Sequence, residues 1–277
     1  MNTNPVVVGV KDEQPTAVMF AAEAALARGV DLRVVHCLEP LIAGDLVLPI
    51  DEPWQAAGQV TLDSAKALID VLDDGPAATY ELVIGAPVGV LDEAAEKASL
   101  LVIGTDEEDW GARLFTDKVT ERLAKHVDIP VAIVPERART HHVGKGVYVA
   151  VDGRSPAAGP LRFAFTEASR HHKSKLHVIH ALPADTSTDE MNAIRADVSE
   201  ALAGWSEQFP DVEVVRRLVF DDIDDGCVAA SKEAALLVLG RATHNGLGSL
   251  FGHPVITEMA RHTRGPSVVV PNEWKDE

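Results

Sequence analysis

The sequence predicts an α/β protein with two tandem, doubly wound parallel sheets of five strands each, Rossmann-like in type and arranged as an internal pseudo-dimer. One observation is a duplication: the unit within residues 234–271 repeats residues 99–135 at one constant offset, so that Gly104 matches Gly240 and Pro130 matches Pro266. Another is that both copies alternate short all-apolar runs, typical of strands buried on both faces, with helical patterns. The 277 residues suffice for two domains of about 140 residues, each with its own core.

Strands and helices alternate along the first copy. Gly29 is placed to end the first helix, and the Gly-Ala-Pro sequence of residues 85–87 closes the third strand. The predicted strands are residues 5–10, 32–37, 80–84, the apolar start of the unit 99–135, and 131–134. The predicted helices are residues 16–28, 56–72 and 88–97, and a fourth inside the unit 99–135.

The second copy gives a partner for every element of the first. Its predicted strands are residues 147–151, 176–180, 212–219, 234–239 and 267–270. Its predicted helices end near residue 172, span 189–208 and 224–233, and include one between the last two strands. Ile194, Val198, Leu202 and Trp205 lie on one face of the helix 189–208. We therefore expect a first domain at 1–136, a polar linker at 137–146 and a second domain at 147–277.

Composition narrows the function classes. The net charge of −18 and the lack of a Lys/Arg cluster argue against nucleic-acid binding, which requires neutralisation of phosphates. Cys37 and Cys227 do not correspond between the copies, so we expect no disulfide framework and a reducing compartment. The apolar run near the start is too short for a signal peptide or a membrane span. These features predict a cytoplasmic protein that does not associate with a membrane.

The ordered motifs resemble a known family. They are the V-x-V-D-G turn of residues 149–153, the strand L-H-V-I-H at 176–180, and the closing L-L-V-L-G and G-P-S-V-V-V-P sequences. This set, present along both copies, resembles the universal stress protein family in its tandem two-domain form. The resemblance implies cytoplasmic, stress-linked proteins that act through protein partners. It implies pairing of the closing strands 131–134 and 267–270, leaves a further homodimer open, and includes members that bind ATP and members that do not.

The resemblance also locates a candidate nucleotide site in the second domain. ATP-binding members carry the pattern G-x2-G-x9-G-S/T after the fourth strand and an Asp after the first. Here Pro254 stands at the hydroxyl position, while Gly246 keeps the loop rich in glycine. The residues expected around ATP are Asp152, Gly240, Thr243, Gly248, Gly252 and His253. Two functions stay open: a regulatory or structural stress protein without chemistry of its own, and an ATP-binding switch or weak ATPase using this crevice.

The first copy departs further from that pattern. Gly104 is kept, but Lys11 stands where the second copy has Asp152, and residues 106–109 are four consecutive carboxylates. Like charge in front of a phosphate-sized pocket repels a triphosphate. We therefore predict that the first domain does not bind ATP.

No catalytic or metal-binding constellation is expected from the sequence. The catalytic motifs of serine hydrolases, zinc proteases and P-loop enzymes are absent. The acidic run at 106–109 lacks the spacing of a calcium loop, so a solvated loop is expected. His36 and His180 end the second strand of each copy, and two roles stay open for them: hydrogen-bonded packing or ligand contact. His36 could activate Cys37, but adjacent strand residues point to opposite faces.

Overall fold

The computed structural model of the protein forms two compact units, Met1–Thr140 and His141–Glu277, called here the first and the second domain. The structure describes residues 3–40, 42–43, 46–47, 50–105, 110–136, 138, 146–151, 157–170, 175–182, 186–220, 223–241 and 253–276. The domain and linker boundaries given above stay a prediction.

The first domain alternates strands with helices, as predicted. Its strands are β1 (Val6–Val10), β2 (Leu32–Leu38), β3 (Ile42–Ala43), β4 (Leu46–Val47), β5 (Ala78–Ile84), β6 (Leu100–Thr105) and β7 (Val131–Pro135). Its helices are α1 (Pro15–Arg28), α2 (Glu52–Asp70), α3 (Pro87–Ala95) and α4 (Trp110–His126). The long strands form a parallel sheet in the order β7-β6-β1-β2-β5. Every residue of β6 and β7 is buried, as their all-apolar sequences require.

The second domain repeats this architecture. Its strands are β8 (Val147–Ala150), β9 (Leu176–Leu182), β10 (Val214–Phe220), β11 (Leu236–Arg241) and β12 (Ser267–Pro271). Its helices are α5 (Ala158–Arg170), α6 (Thr188–Ala201), α7 (Trp205–Gln208), α8 (Ile223–Glu233) and α9 (His253–His262). The strands are parallel in the order β10-β9-β8-β11-β12.

The duplication holds at the level of strand register. In the first domain Leu101 pairs with Val131 and Gly104 with Val134. In the second domain Leu237 pairs with Ser267 and Gly240 with Val270, each 136 positions later. The strands of the two closing βαβ units therefore keep the same pairing register, although the sequence between them has diverged.

Two predicted helices differ from the structure, and the segment between β2 and α2 contains two strands that the sequence did not indicate. Helix α2 begins at Glu52 and not at residue 56, because Asp51 accepts a hydrogen bond from the Trp54 backbone N–H at 3.2 Å and caps the helix. The loop before it contains the short antiparallel strands β3 and β4. The helix predicted at 189–208 is divided into α6 and α7 at Gly204, whose φ of 80° is left-handed.

The break at Gly204 has a packing reason. It lets α7 turn so that the Trp205 ring stacks on Phe165 of α5 at a centroid distance of 5.4 Å. Val198 and Leu202 are buried as expected, although Leu202 caps α6 and no longer belongs to a continuous helical face. Helix α1, by contrast, ends at left-handed Gly29, as predicted. Within the described part of the chain, no helix is both long and apolar enough to cross a membrane.

Candidate functional site

The sheet topology defines one crevice in each domain. From β1 the chain goes out to β2 and β5, then returns to β6 and β7 on the other side of β1. The strand order therefore reverses beside β1. Open parallel sheets bind ligands where the strand order reverses, at the carboxyl ends of the strands. In the first domain a cavity of about 360 Å³ lies there. Its walls come from the ends of β1, β2 and β6 and from helices α3 and α4.

The cavity walls are mostly apolar. The apolar side chains that line it are Val10, Val35, Pro87, Leu91, Ile103 and Val119. The polar and charged ones are Lys11, Gln14, Cys37 and Glu39. Lys11 and Glu39 are exposed and carry opposite charges, whereas Gln14 is only 3% exposed. The cavity thus has an apolar interior with a charge of each sign at solvent-exposed positions.

The Gln14 side chain fills the space beside Gly104, the first glycine of the family motif in this domain. The Lys11 backbone N–H donates to Gln14 Oε1 at 3.3 Å, which folds the side chain inward. A Cβ atom on Gly104 would lie 2.8 Å from Gln14 Cδ. A side chain at position 104 would therefore have to displace the Gln14 amide.

The Glu136 side chain binds the N-terminus of helix α1. The Thr16 backbone N–H donates to Glu136 Oε1 at 3.1 Å, and the Thr16 hydroxyl donates to the Glu136 carbonyl oxygen at 2.7 Å. The helix N-cap, Gln14, makes no capping hydrogen bond through its side chain. The carboxylate therefore meets the positive end of the α1 dipole, where a phosphate group would otherwise be favoured.

His36 and His180 have the same structural role in the two domains. His36 Nδ1 donates to the Val10 carbonyl oxygen at 2.8 Å, and His180 Nδ1 donates to the Val151 carbonyl oxygen at 2.7 Å. Both rings are buried, with 7% and 3% exposure. Of the two roles left open for these histidines, both therefore have hydrogen-bonded packing. In each domain the histidine joins the end of the second strand to the end of the first by this hydrogen bond.

Cys37 has the properties of a neutral thiol. Burial, and then the charge of Glu39, raises its pKa to about 11. The thiol stays protonated at neutral pH, whereas a nucleophilic cysteine needs a lowered pKa. Activation by the neighbouring His36 is therefore not found.

The crevice of the second domain is described only in part. Gly240 lies in β11, where an added Cβ would come within 2.9 Å of Asn272 Oδ1 and 3.1 Å of Pro160 Cγ. His253 begins helix α9. The other predicted nucleotide-site residues lie outside the described residues; they are Asp152, Thr243, Gly248 and Gly252. The site stays a prediction, with its loop joining the carboxyl end of β11 to the start of α9.

Sequence reasoning missed the contact between the last strand and the first helix of each domain. In the second domain the Gly159 backbone N–H donates to the Asn272 carbonyl oxygen at 2.9 Å, the counterpart of the Thr16 contact with Glu136. Both acceptors directly follow the prolines that end β7 and β12. Glu136 and Asn272 occupy matching positions in the two copies, and this match was the available signal in the sequence. The contact itself could not be predicted, because only the fold brings Thr16 and Glu136, which are 120 positions apart, together.

A polar cluster on the second sheet was also missed. Tyr148 and His177 are register partners on β8 and β9, and their rings stack at 4.4 Å. Arg217 of β10 donates to the Tyr148 hydroxyl at 3.1 Å and lies 3.5 Å from Glu233. Burial, and then the positive charge of Arg217, lowers the pKa of His177. The cluster holds a neutral imidazole beside a cation.

No group of three or more potential metal ligands is found among the residues that the structure describes. The acidic run at residues 106–109 lies outside them, as do Asp221 and Asp222.

Known proteins resemble the whole of this chain. The model of the "Universal stress protein family" matches residues 2–135 and 145–271. Universal stress protein Rv2623 of Mycobacterium tuberculosis is 30% identical over 285 residues, which cover 95% of each chain. Universal stress protein Mb2028c of Mycobacterium bovis is 28% identical over 95% of this chain and 96% of its own. A solved universal stress protein from Archaeoglobus fulgidus has a TM-score of 0.66 at 17% identity, covering 98% of this chain and 97% of its own, and so shares the fold.

Proposed function

This chain belongs to the universal stress protein family, and we propose on that premise that it is a regulatory or structural stress-response protein without catalytic chemistry of its own. The observation that carries the proposal is the state of the first-domain crevice. Its two charged lining residues, Lys11 and Glu39, have opposite signs, and the Gln14 side chain accepts a hydrogen bond from the Lys11 backbone. The helix end that could bind a phosphate already binds Glu136. The first domain accordingly does not bind ATP.

Charge supports this exclusion. The family's acid after the first strand is replaced by Lys11, whose ammonium lies 3.6 Å from the Asp12 carboxylate. Glu39 adds a further negative charge to the cavity lining. A magnesium-bound triphosphate would have to displace Gln14 from Gly104 and compete with Glu136 at the α1 terminus.

A second candidate function is an ATP-binding switch or weak ATPase in the second domain. It is favoured by Asp152, which follows β8, and by the glycine-rich sequence between β11 and α9. In this proposal Gly240, Thr243, Gly248, Gly252 and His253 surround the nucleotide, with backbone N–H groups and the α9 terminus directed at its phosphates.

Partners and location complete the proposal. A protein that acts without chemistry must act through other molecules, so we expect protein partners and leave a homodimer open. A cytoplasmic location agrees with the free thiols of Cys37 and Cys227.

The test is mass spectrometry of small molecules released when the purified full-length protein is denatured. The proposal of a regulatory protein without nucleotide expects no adenine nucleotide. Release of about one nucleotide per chain, abolished by Asp152→Ala, would instead establish the switch in the second domain. Release of two per chain would contradict both versions.

A further inference from the structure

We propose that the first-domain crevice binds a small, uncharged, mainly apolar molecule. This inference goes beyond the function proposed above, since it concerns a different ligand class and holds whether or not the second domain binds ATP.

The size of the cavity is the starting observation. The crevice is open to solvent at Lys11 and Glu39 and has a volume of about 360 Å³. That volume lies within the range of roughly 300–1,000 Å³ that is typical of small-molecule sites. Its position at the reversal of strand order is also where this architecture binds ligands.

The side chains that line the cavity indicate that the ligand is apolar. Val35 and Leu91 are 1% and 4% exposed, and Ile103 is 5% exposed, so the interior wall consists of buried aliphatic side chains. An apolar ligand that covers these walls removes their surface from water, which is favourable. A charged group would instead be placed in a medium that solvates it poorly.

The polar groups of the lining indicate that the ligand is uncharged. Lys11 and Glu39 have opposite signs, and Lys11 already has a carboxylate neighbour in Asp12. The Cys37 thiol is neutral because burial raises its pKa, and the Gln14 amide is neutral by nature. No single sign of charge therefore dominates the described lining, and its neutral polar side chains are Gln14 and Cys37.

The experiment uses the full-length protein and the uncharged fluorescent probe N-phenyl-1-naphthylamine. We expect saturable fluorescence enhancement at one site per chain. Val119→Trp places an indole in the cavity from α4 and should weaken probe binding at least about tenfold. The matched control is Val60→Trp on α2, where valine is 64% exposed and does not line the cavity, and it should leave affinity within about twofold.

A second measurement needs no substitution in the cavity wall. Bound probe should slow the alkylation of Cys37 by N-ethylmaleimide at pH 9, located by peptide mass spectrometry, because Cys37 lines the cavity. Cys227 is 2% exposed in the core of the second domain and serves as the internal reference.

Three results would overturn the proposal: no saturable binding, equal affinity in the two tryptophan variants, or displacement of the probe by ATP. These results do not depend on nucleotide binding in the second domain, which Asp152→Ala tests separately. If Val119→Trp does not fold, unchanged Cys37 alkylation in the presence of saturating probe overturns the proposal by itself.

Discussion

Glu136 binds the start of helix α1, where a carboxylate stabilises the helix and, in the function proposed above, excludes a phosphate. Its carboxylate accepts the Thr16 N–H, one of the α1 donors that no preceding turn can satisfy. Glu136→Ala should therefore lower the free energy of unfolding by about 1–2 kcal/mol, as the loss of a helix cap does. Urea denaturation measures this, and Glu13→Ala, at an exposed position, is the control. Equal destabilisation by the two variants would contradict the capping role.

His177 predicts a pH dependence of stability. Its pKa is lowered in the folded protein, first by burial and then by Arg217, so the unfolded chain binds the proton more readily. Stability should therefore fall as the pH drops below the ordinary imidazole pKa of about 6.5. His177→Phe keeps a ring against Tyr148 and should reduce the loss of stability between pH 7.5 and pH 5. An unchanged loss in urea denaturation would show that other groups cause it.

Cys37 should react slowly with alkylating reagents at neutral pH. Because burial raises its pKa to about 11, the alkylation rate should keep rising through pH 10 as the thiolate fraction grows. The measurement is the pH–rate profile of iodoacetamide labelling in a Cys227→Ala background. A plateau below pH 9 would mean that the thiol is activated and would reopen a chemical role for this residue.

At the scale of elements, Gly204 decides where one predicted helix becomes two. Its φ of 80° is strained for any other residue, and among the described residues no atom beyond its chain neighbours lies within 4 Å of an added Cβ. Gly204→Ala should therefore destabilise the protein by about 1 kcal/mol through backbone strain alone. Gly89→Ala, at an open and exposed position in α3, should instead stabilise by up to about 1 kcal/mol. Thermal unfolding should move in opposite directions for the pair; a shift in the same direction would contradict the assignment of strain to Gly204.

The long strands could be predicted because burial on both faces leaves a plain all-apolar signal, as in β6 and β7. The start of α2 was missed because the helix was predicted to begin at residue 56, after Pro53, although proline suits a first helical turn. The two-residue strands β3 and β4 are too short to produce any periodicity. Gly204 was missed because the apolar spacing continues through it, although the chain does not.

At the scale of the whole molecule, the duplication gives two crevices with one plan and different chemistry. The position of both could be predicted from strand order, and the loss of the acid at Lys11 is visible in the sequence. The closing contacts of Gln14 on Gly104 and of Glu136 on Thr16 could not be predicted, because they depend on how α1 meets the ends of β6 and β7. The residues proposed around ATP in the second domain stay a prediction.

The most direct test of divergence between the crevices is calorimetric titration of the full-length protein with ATP and Mg²⁺, repeated with Asp152→Ala. If the first crevice excludes a triphosphate, as proposed above, at most one ATP will bind per chain, and none will bind to the Asp152→Ala variant. Two ATP per chain, or one that persists in the variant, would place nucleotide in the first crevice and contradict the account.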